Sequence, residues 1–501
     1  MRLHLRHITP FLLLTGSRVV HGFAIPTREP QTYSANSTTK VLVLGGGVAG
    51  VIAARTLHEQ GIDDFVLIEA RDELGGRLHS TPFGGHVVEL GANWIQGTQT
   101  GNGPINPIWE LAQKHGLKTH ISDFYGSLKT FDETGEVDFV DVFNASVNNF
   151  DKYVDYSGER LSKDLVDLTA RSTYDYIGKR PRNAHEMAAE YMNFDWEYAQ
   201  TPLQSSGIAT ARNSNFTFEP AAGGFSDDNI LSIDQRGYKT FIQQEAKSFL
   251  KPEQLRLNTL VNYVEWSDSG VKAVFSDGSS ISADYAICTF SLGVLKNDDV
   301  KFVPDFPDYK TEAIASMTMG TYTKIFLQFP QKFWFDTEFG LYADSERGRY
   351  PIWQSLDKEG FLPESGIIFV TVTGDFSERI EALSDTEVKE ETMSVLRSMY
   401  PNITIPEPSD FTFHRWFNDP LYRGSYSNWP PSFVRQHHDN FRADVGRLYF
   451  AGEGTSQDYY GYLHGAYFEG RDIADVVAKC VHGNGCVSLQ RYEEVKNTVP
   501  Y

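Results

Sequence analysis

Cysteine is scarce in this chain: 501 residues contain three. Three thiols leave room for one intrachain disulfide. Cys480 and Cys486 flank the glycine-rich segment VHGNG and are placed to form it. Cys288 stands in the apolar run YAICTF and reads as a buried core thiol. Basic residues are also short, 45 Lys and Arg against 66 Asp and Glu, so the net charge is −21. That balance argues against nucleic-acid binding, which needs a basic surface for phosphates, and it favours the capture of cations. Long apolar runs are absent, so no membrane span of roughly 20 residues is expected. Metal-ligand spacing is absent too: His437 and His438 are adjacent, unlike a helical zinc pair at i and i+4. No internal repeat or low-complexity segment appears.

What remains is the composition of a folded globular protein, with 22% charged and 41% hydrophobic residues. The length calls for two or three domains. At the start, Arg2 and Arg6 precede a short apolar run over Ile8 to Leu14. This reads as a signal peptide over residues 1–25, with cleavage near Ala24. Sequons at Asn36, Asn144, Asn215 and Asn402 agree with a secreted, glycosylated protein.

The clearest chemical signal follows. Lys40 to Leu44 is a short β-branched run leading into Gly45-Gly46-Gly47-Val48-Ala49-Gly50, a G-x-G-x-x-G pattern. Helix-compatible sequence comes next, VIAARTLHEQG, then a second strand, FVLIEA, reaching Glu69. Strand, glycines, helix, strand and acid together describe a dinucleotide site. Gly45 permits the tight turn, Gly47 lets the backbone approach a pyrophosphate, and Gly50 lets helix and strand pack closely. The helix N-terminus offers free N–H groups to phosphate, and Glu69 is placed to take ribose hydroxyls. Arg77, after a second glycine pair in ELGGR, is a further pyrophosphate ligand.

Other segments show conventional periodicities. AVFSDGSSISADYAICTF reads as a hairpin turning at Asp277-Gly278, residues 151–200 read as helical, and LRLNTLVNYVEW is a strand region. Lys324 sits in the apolar run YTKIFLQF, where an ionised lysine costs several kcal/mol to bury unless it is paired or loses its proton.

The EAR…GGR pattern after the first glycines is similar to that of FAD-containing amine oxidases. From about Lys40 to Cys486 the chain resembles that family, most closely its secreted polyamine oxidases. The resemblance is carried by VELGANW over Val88 to Trp94, FDWEY over Phe194 to Tyr198, YTKIF over Tyr322 to Phe326, AGEGT over Ala451 to Thr455, and YGYLHGA over Tyr460 to Ala466. It implies an α/β fold in which a Rossmann-like FAD-binding domain (39–122, 227–305 and 435–482) interleaves with a substrate-binding domain of mixed sheet plus helices (123–226 and 306–434). Residues 483–501 form a C-terminal tail.

The same resemblance implies roles. Gly91, Ala92, Asn93, Trp94, Val261 and Glu453 join Gly45, Gly47, Gly50, Glu69 and Arg77 around FAD. Lys324 holds a water at the reactive flavin nitrogen, and Tyr426 and Tyr462 flank the substrate amine with two ring faces. Glu197, Tyr198 and Tyr322 line the substrate tunnel, Glu197 taking an ammonium. Ser425 stands where monoamine oxidases carry the cysteine bonded to their flavin, so FAD is expected to be non-covalent. Gln96 departs from the pattern: secreted plant polyamine oxidases carry an acid two residues after the tryptophan. This opens which carbon–nitrogen bond is cleaved and which polyamine is preferred.

The activity implied is oxidation of a spermine- or spermidine-class polyamine beside a secondary amine. Molecular oxygen is the second substrate, and an aminoaldehyde, an amine and hydrogen peroxide are the products. A monomer without nucleic-acid or membrane partners is expected. Oxidation of monoamines or amino acids is the alternative within the family, the latter needing an arginine such as Arg415 or Arg423. A silent amine-binding flavoprotein is the alternative outside it.

Overall fold

The computed structural model describes residues 36–496; the segment read as a signal peptide, 1–25, lies outside them. The strand Asn36–Leu44 lies at the centre of an eight-stranded sheet. Its core half, Val41 to Leu44, is fully buried, as expected of a strand covered on both faces. It pairs in parallel with Phe65–Ile68 on one side and Ser280–Cys288 on the other. Beyond Phe65–Ile68 lies the short strand Leu255–Arg256. On the far side, Gly270–Phe275, Val261–Ser267 and Lys301–Val303 complete the main order, and Leu448–Phe450 pairs with the end of Ser280–Cys288. One sheet thus gathers strands from three distant stretches of chain.

The hairpin expected at Asp277-Gly278 is present, its strands antiparallel and Gly278 at φ +83°. The strand after the first helix stops at Ile68, one residue short of Glu69. The helix begins inside the glycine motif, at Val48, and runs to Glu59. It packs against the last long helix, Leu463–Val481, through the apolar set Val51, Ala54, Ile473, Ala474 and Val477. Gly470 makes this approach possible, since a Cβ there would stand 2.3 Å from Ala49 O.

A second, seven-stranded sheet carries Lys324. Its strands run in the order Asp410–Phe413, Tyr322–Gln328, Ile367–Thr373, Ile352–Ser355, Phe339–Tyr342, Leu128–Asp132 and Gly135–Glu136. All pairings but one are antiparallel. Helices Val140–Ser162, Ala170–Tyr176 and Ala184–Asn193 and the single turn Asp195–Tyr198 occupy the region read as helical. Small sheets join these bodies: Trp94–Gln96 pairs with Asn229–Ser232, and Thr318–Gly320 with Tyr426–Asn428.

Cys480 and Cys486 are bonded, closing a loop at the end of the last helix, and Cys288 is buried and free. The chain beyond the loop docks on the helix Arg435–Arg442. Asn440 bonds the main chain of Tyr492 in both directions, and Lys496 N–H donates to Gln436. Of the sequons, Asn144 and Asn402 are exposed, Asn215 is half-buried within the helix Gly207–Phe218, and Asn36 opens the first strand. Among the described residues no helix is long and apolar enough to cross a membrane, and no His, Cys, Asp and Glu group could hold a metal ion.

Candidate active site

One continuous cavity runs from the C-terminal edge of the parallel strands to the face of the second sheet. At its first end lie Gly45, Gly46, Gly47 and Glu69, and at its other end Lys324, Glu197, Tyr426 and Tyr462.

The glycines of the first motif divide by cause. Gly45 has φ +109°, and a Cβ there would lie 2.4 Å from Thr289 Oγ1. A Cβ on Gly50 would fall 1.9 Å from Gly45 O, so helix and turn cannot close without it. Gly47 is different: its Cβ would meet only Gly76 Cα, at 3.8 Å, an ordinary contact. Gly452, at the opposite wall, would meet nothing within 4 Å. Packing within the protein explains Gly45 and Gly50. Gly47 and Gly452 stay bare where they face the cavity, which is the cradle a dinucleotide backbone requires.

Glu69 is buried, and its two oxygens accept from the N–H groups of Gly46 and Arg71, both at 2.8 Å. Burial nevertheless pushes its pKa up, leaving a carboxylate short of partners and able to take hydroxyl donors. Arg77 reaches across to Glu453 and to Ser425 O, each at 2.8 Å, so part of its guanidinium fork is already spent on the protein. Glu453 ties the final glycine box to the strand Tyr426–Asn428, accepting also from Ser427 and from Gly461 N–H. Val261, with Thr259 and Leu260, lines the far end of the cavity.

At the other end Lys324 is 2% exposed. Its Nζ donates to Glu89 O at 3.3 Å, to Asn93 Oδ1 at 2.7 Å and to Gly91 O. The Trp94 ring lies 5.4 Å from Nζ. Burial pulls this lysine down to about 7. Gly91 and Ala92 line the cavity beside Asn93 and Trp94.

Glu197 anchors both aromatic residues. Tyr462 Oη donates to its carboxylate, and Tyr426 Oη donates to its carbonyl at 3.0 Å. Burial raises Glu197 above the usual carboxylate range, and the Tyr462 bond opposes that rise. Tyr322 is 6.0 Å from Tyr426, ring to ring. Tyr198 touches the cavity while its hydroxyl turns away to Thr210 O. Gln96 lines the cavity, and its side-chain amide has no hydrogen-bonding partner among the described residues.

Ser425 Oγ bridges the N–H and carbonyl of Tyr322, holding the two aromatic segments together. Neither Arg415 nor Arg423 lines the cavity: Arg415 bonds Asp385, and Arg423 forms a two-pronged pair with Asp299.

Three supports escaped the sequence reading. His464 is 1% exposed and stacks on Tyr462 at 4.9 Å with an interplanar angle of 15°. Burial holds it neutral, down to about 3. Its place two residues after Tyr462 was the available signal. Arg347 forks onto Asp195 at 2.6 and 3.0 Å, holding the turn that carries Glu197. Glu89 is a buried acid whose main-chain carbonyl accepts from Lys324. Neither residue's local sequence announces its partner.

Comparison with known proteins agrees with this geometry. Residues 48–478 match the family model described as flavin containing amine oxidoreductase. The chain is 38% identical to polyamine oxidase 1 of Zea mays, over 95% of each chain. It is 36% identical to polyamine oxidase 6 of Oryza sativa subsp. japonica, over 93% of this chain and 96% of that one. A solved putrescine oxidase, wild type bound to putrescine, shares the fold at a TM-score of 0.69. Identity is 18%, with 88% of this chain and 100% of that one covered.

Proposed function

The chain belongs to the flavin-containing amine oxidoreductases, and from that premise we propose that it is a secreted oxidase of spermine- or spermidine-class polyamines. The observation carrying this reading is Glu197 at the Lys324 end of the cavity, its carboxylate accepting from Tyr462 and its carbonyl from Tyr426. A cationic chain finds there one anion and aromatic faces. An amino-acid substrate would find neither Arg415 nor Arg423 there, because both are engaged elsewhere.

The glycine cradle, Glu69 and Glu453 fit FAD, whose diphosphate would lie over Gly47 and Gly452. When bound, FAD supplies the two-electron acceptor. The residues of the chain bind and orient. Glu197 fixes an ammonium. Tyr426 and Tyr462 hold the reacting nitrogen between their rings, and burial keeps both phenols protonated. The buried surroundings favour the neutral amine, the form whose neighbouring carbon can be oxidised. Overall, a secondary amine, oxygen and water give an aldehyde, a primary amine and hydrogen peroxide. Secretion is supported by the sequons and the leader, and the interleaved division into two domains by the sheet that gathers distant strands.

Anaerobic mixing tests the reading. Spermine or spermidine is expected to bleach the flavin colour rapidly, while benzylamine and amino acids leave it. Bleaching by none of the polyamines would overturn it. Acid denaturation should release the flavin into the supernatant, since Ser425 offers no thiol.

The glycine division yields a second prediction. Gly47→Ala is expected to fold with unchanged far-UV circular dichroism but to lose flavin affinity by about tenfold or more, about 1.4 kcal/mol. Gly50→Ala is expected to fail in folding itself. Equal flavin content in wild type and Gly47→Ala would contradict the cradle.

A further inference from the structure

Tyr462 and His464 stand two residues apart at the start of the helix Leu463–Val481. Side chains so spaced within a helix point away from each other. Here the two rings stack, because Tyr462 precedes the helix in an extended conformation, with φ −104° and ψ 155°. Tyr462 lines the cavity, and its hydroxyl donates to the Glu197 carboxylate. Its ring is therefore fixed at the tip by Glu197 and over one face by the imidazole.

The imidazole is itself held on its other sides. Phe225 and Tyr459 stand nearly perpendicular to it, with ring centroids at 5.3 and 4.9 Å. Asn106, fully buried at the start of the helix Pro107–Lys114, joins the same ring to the wall that carries Gln96. The Asn106 amide nitrogen donates to Gln96 O at 2.8 Å and to Gly97 O at 3.0 Å, and its oxygen accepts from Ile108 N–H at 2.9 Å. Those partners fix which end of the amide is nitrogen. The same nitrogen lies 3.5 Å from His464 Nδ1. A ring nitrogen that faces an amide donor is the bare one, so the proton sits on Nε2, which faces Thr217 Oγ1 at 3.4 Å. A second ring proton would confront the amide, so geometry as well as burial keeps the ring uncharged.

We propose that His464 is a positioning residue for the reaction: its neutral imidazole, braced by Asn106 and Thr217, backs the Tyr462 ring and fixes the plane that this ring presents to the cavity. An imidazolium behind the ring would repel a cationic substrate in front of it. An aliphatic side chain would fill the volume but leave the tyrosine free to tilt about its side-chain torsions. The role rests on the oxidase reading, in which Tyr462 flanks the reacting nitrogen.

In the holoenzyme, His464→Leu is expected to lower the limiting rate of anaerobic flavin reduction by spermine or spermidine, per bound flavin, by about tenfold or more. Half-saturation should rise by less than about threefold, because Tyr462 keeps its bond to Glu197. His464→Phe returns a flat ring without nitrogens and should recover the limiting rate to within about threefold of wild type. A wild-type rate in His464→Leu, or a His464→Phe as slow as His464→Leu, would overturn the proposal.

A measurement without substrate serves if either variant does not fold. Spectra of protein labelled with nitrogen-15 in histidine should show, at pH 8, an imidazole in the Nε2–H form whose ring protons are displaced by an aromatic face. Tyr462→Leu should cancel that displacement. Absence of any histidine signal that responds in this way, or an Nδ1–H form of the one that does, would overturn the bracing. This arm needs no turnover, so it separates failure of this inference from failure of the polyamine oxidase reading.

Discussion

Lys324→Met is expected to slow anaerobic flavin reduction by a saturating polyamine by about 10²–10³-fold, the usual effect of removing one fixed polar group from a dry reaction site. Methionine matches the length of the lysine stem but offers no donor to Gly91 O or Asn93 Oδ1. The wall segment then loses its polar anchor while the apolar strand around it, Ile325 to Leu327, stays packed. Flavin content should therefore change little, while the thermal midpoint should fall modestly, because buried acceptors lose their donor. Stopped-flow absorbance at several substrate concentrations separates the outcomes. A lower limiting rate with unchanged half-saturation places the effect in the chemical step. A limiting rate within about threefold of wild type, less than 1 kcal/mol of barrier, would remove Lys324 from the machinery.

How much of this site was legible in the sequence depends on the range over which each feature is written. The glycine cradle is local: Gly45 to Gly50 and Glu69 fall within one strand-helix-strand unit, and their spacing carries their geometry. The final box is local as well, with Glu453, Tyr462 and the helix under them inside about thirty residues. Resemblance placed Tyr426 and Glu197, which no periodicity would have singled out, and gave a role to Lys324, which stood out as a lysine in an apolar run. The bond from Lys324 to the Glu89 carbonyl spans 235 positions and the Asp195–Arg347 pair 152. Such contacts arise only where distant stretches of the chain pack together, and each half alone reads as a surface charge or a strand-end residue. Boundaries erred for a physical reason. The first helix takes in Val48 to Gly50 because its initial turn is built from the glycine motif itself.

The Asp195–Arg347 pair supports the other large expectation. Asp195 is 1% exposed and Glu190 4%, and Arg347 contacts both, at 2.6 and 2.9 Å. Arg171 supplies the second cation, bonding Glu190 through both nitrogens of its fork. Two acids and two bases thus balance inside the helical layer. Arg347→Ala leaves Asp195 without its cation, and a loss of about 3–5 kcal/mol in unfolding free energy is expected at pH 8. Lysine should rescue only part of it, because the fork on the two oxygens of Asp195 needs a planar guanidinium.

The loss should depend on pH with a definite sign. Burial already raises Asp195 to about 6 in the folded protein, against an unfolded value near 4, with Arg347 opposing the rise. Between these values the folded state binds more protons than the unfolded one, so this group's contribution falls as pH rises. Without Arg347 the folded value climbs further, and protonation relieves the buried charge. The deficit of Arg347→Ala relative to wild type should therefore be largest at pH 8 and shrink toward pH 5.5, measured by urea unfolding. The turn Asp195–Tyr198 carries Glu197, so half-saturation for polyamine should rise before the limiting rate falls. A deficit below about 1 kcal/mol at pH 8, the size typical of exposed ion pairs, would mean that water reaches Asp195 and that the turn is held by its apolar neighbours instead.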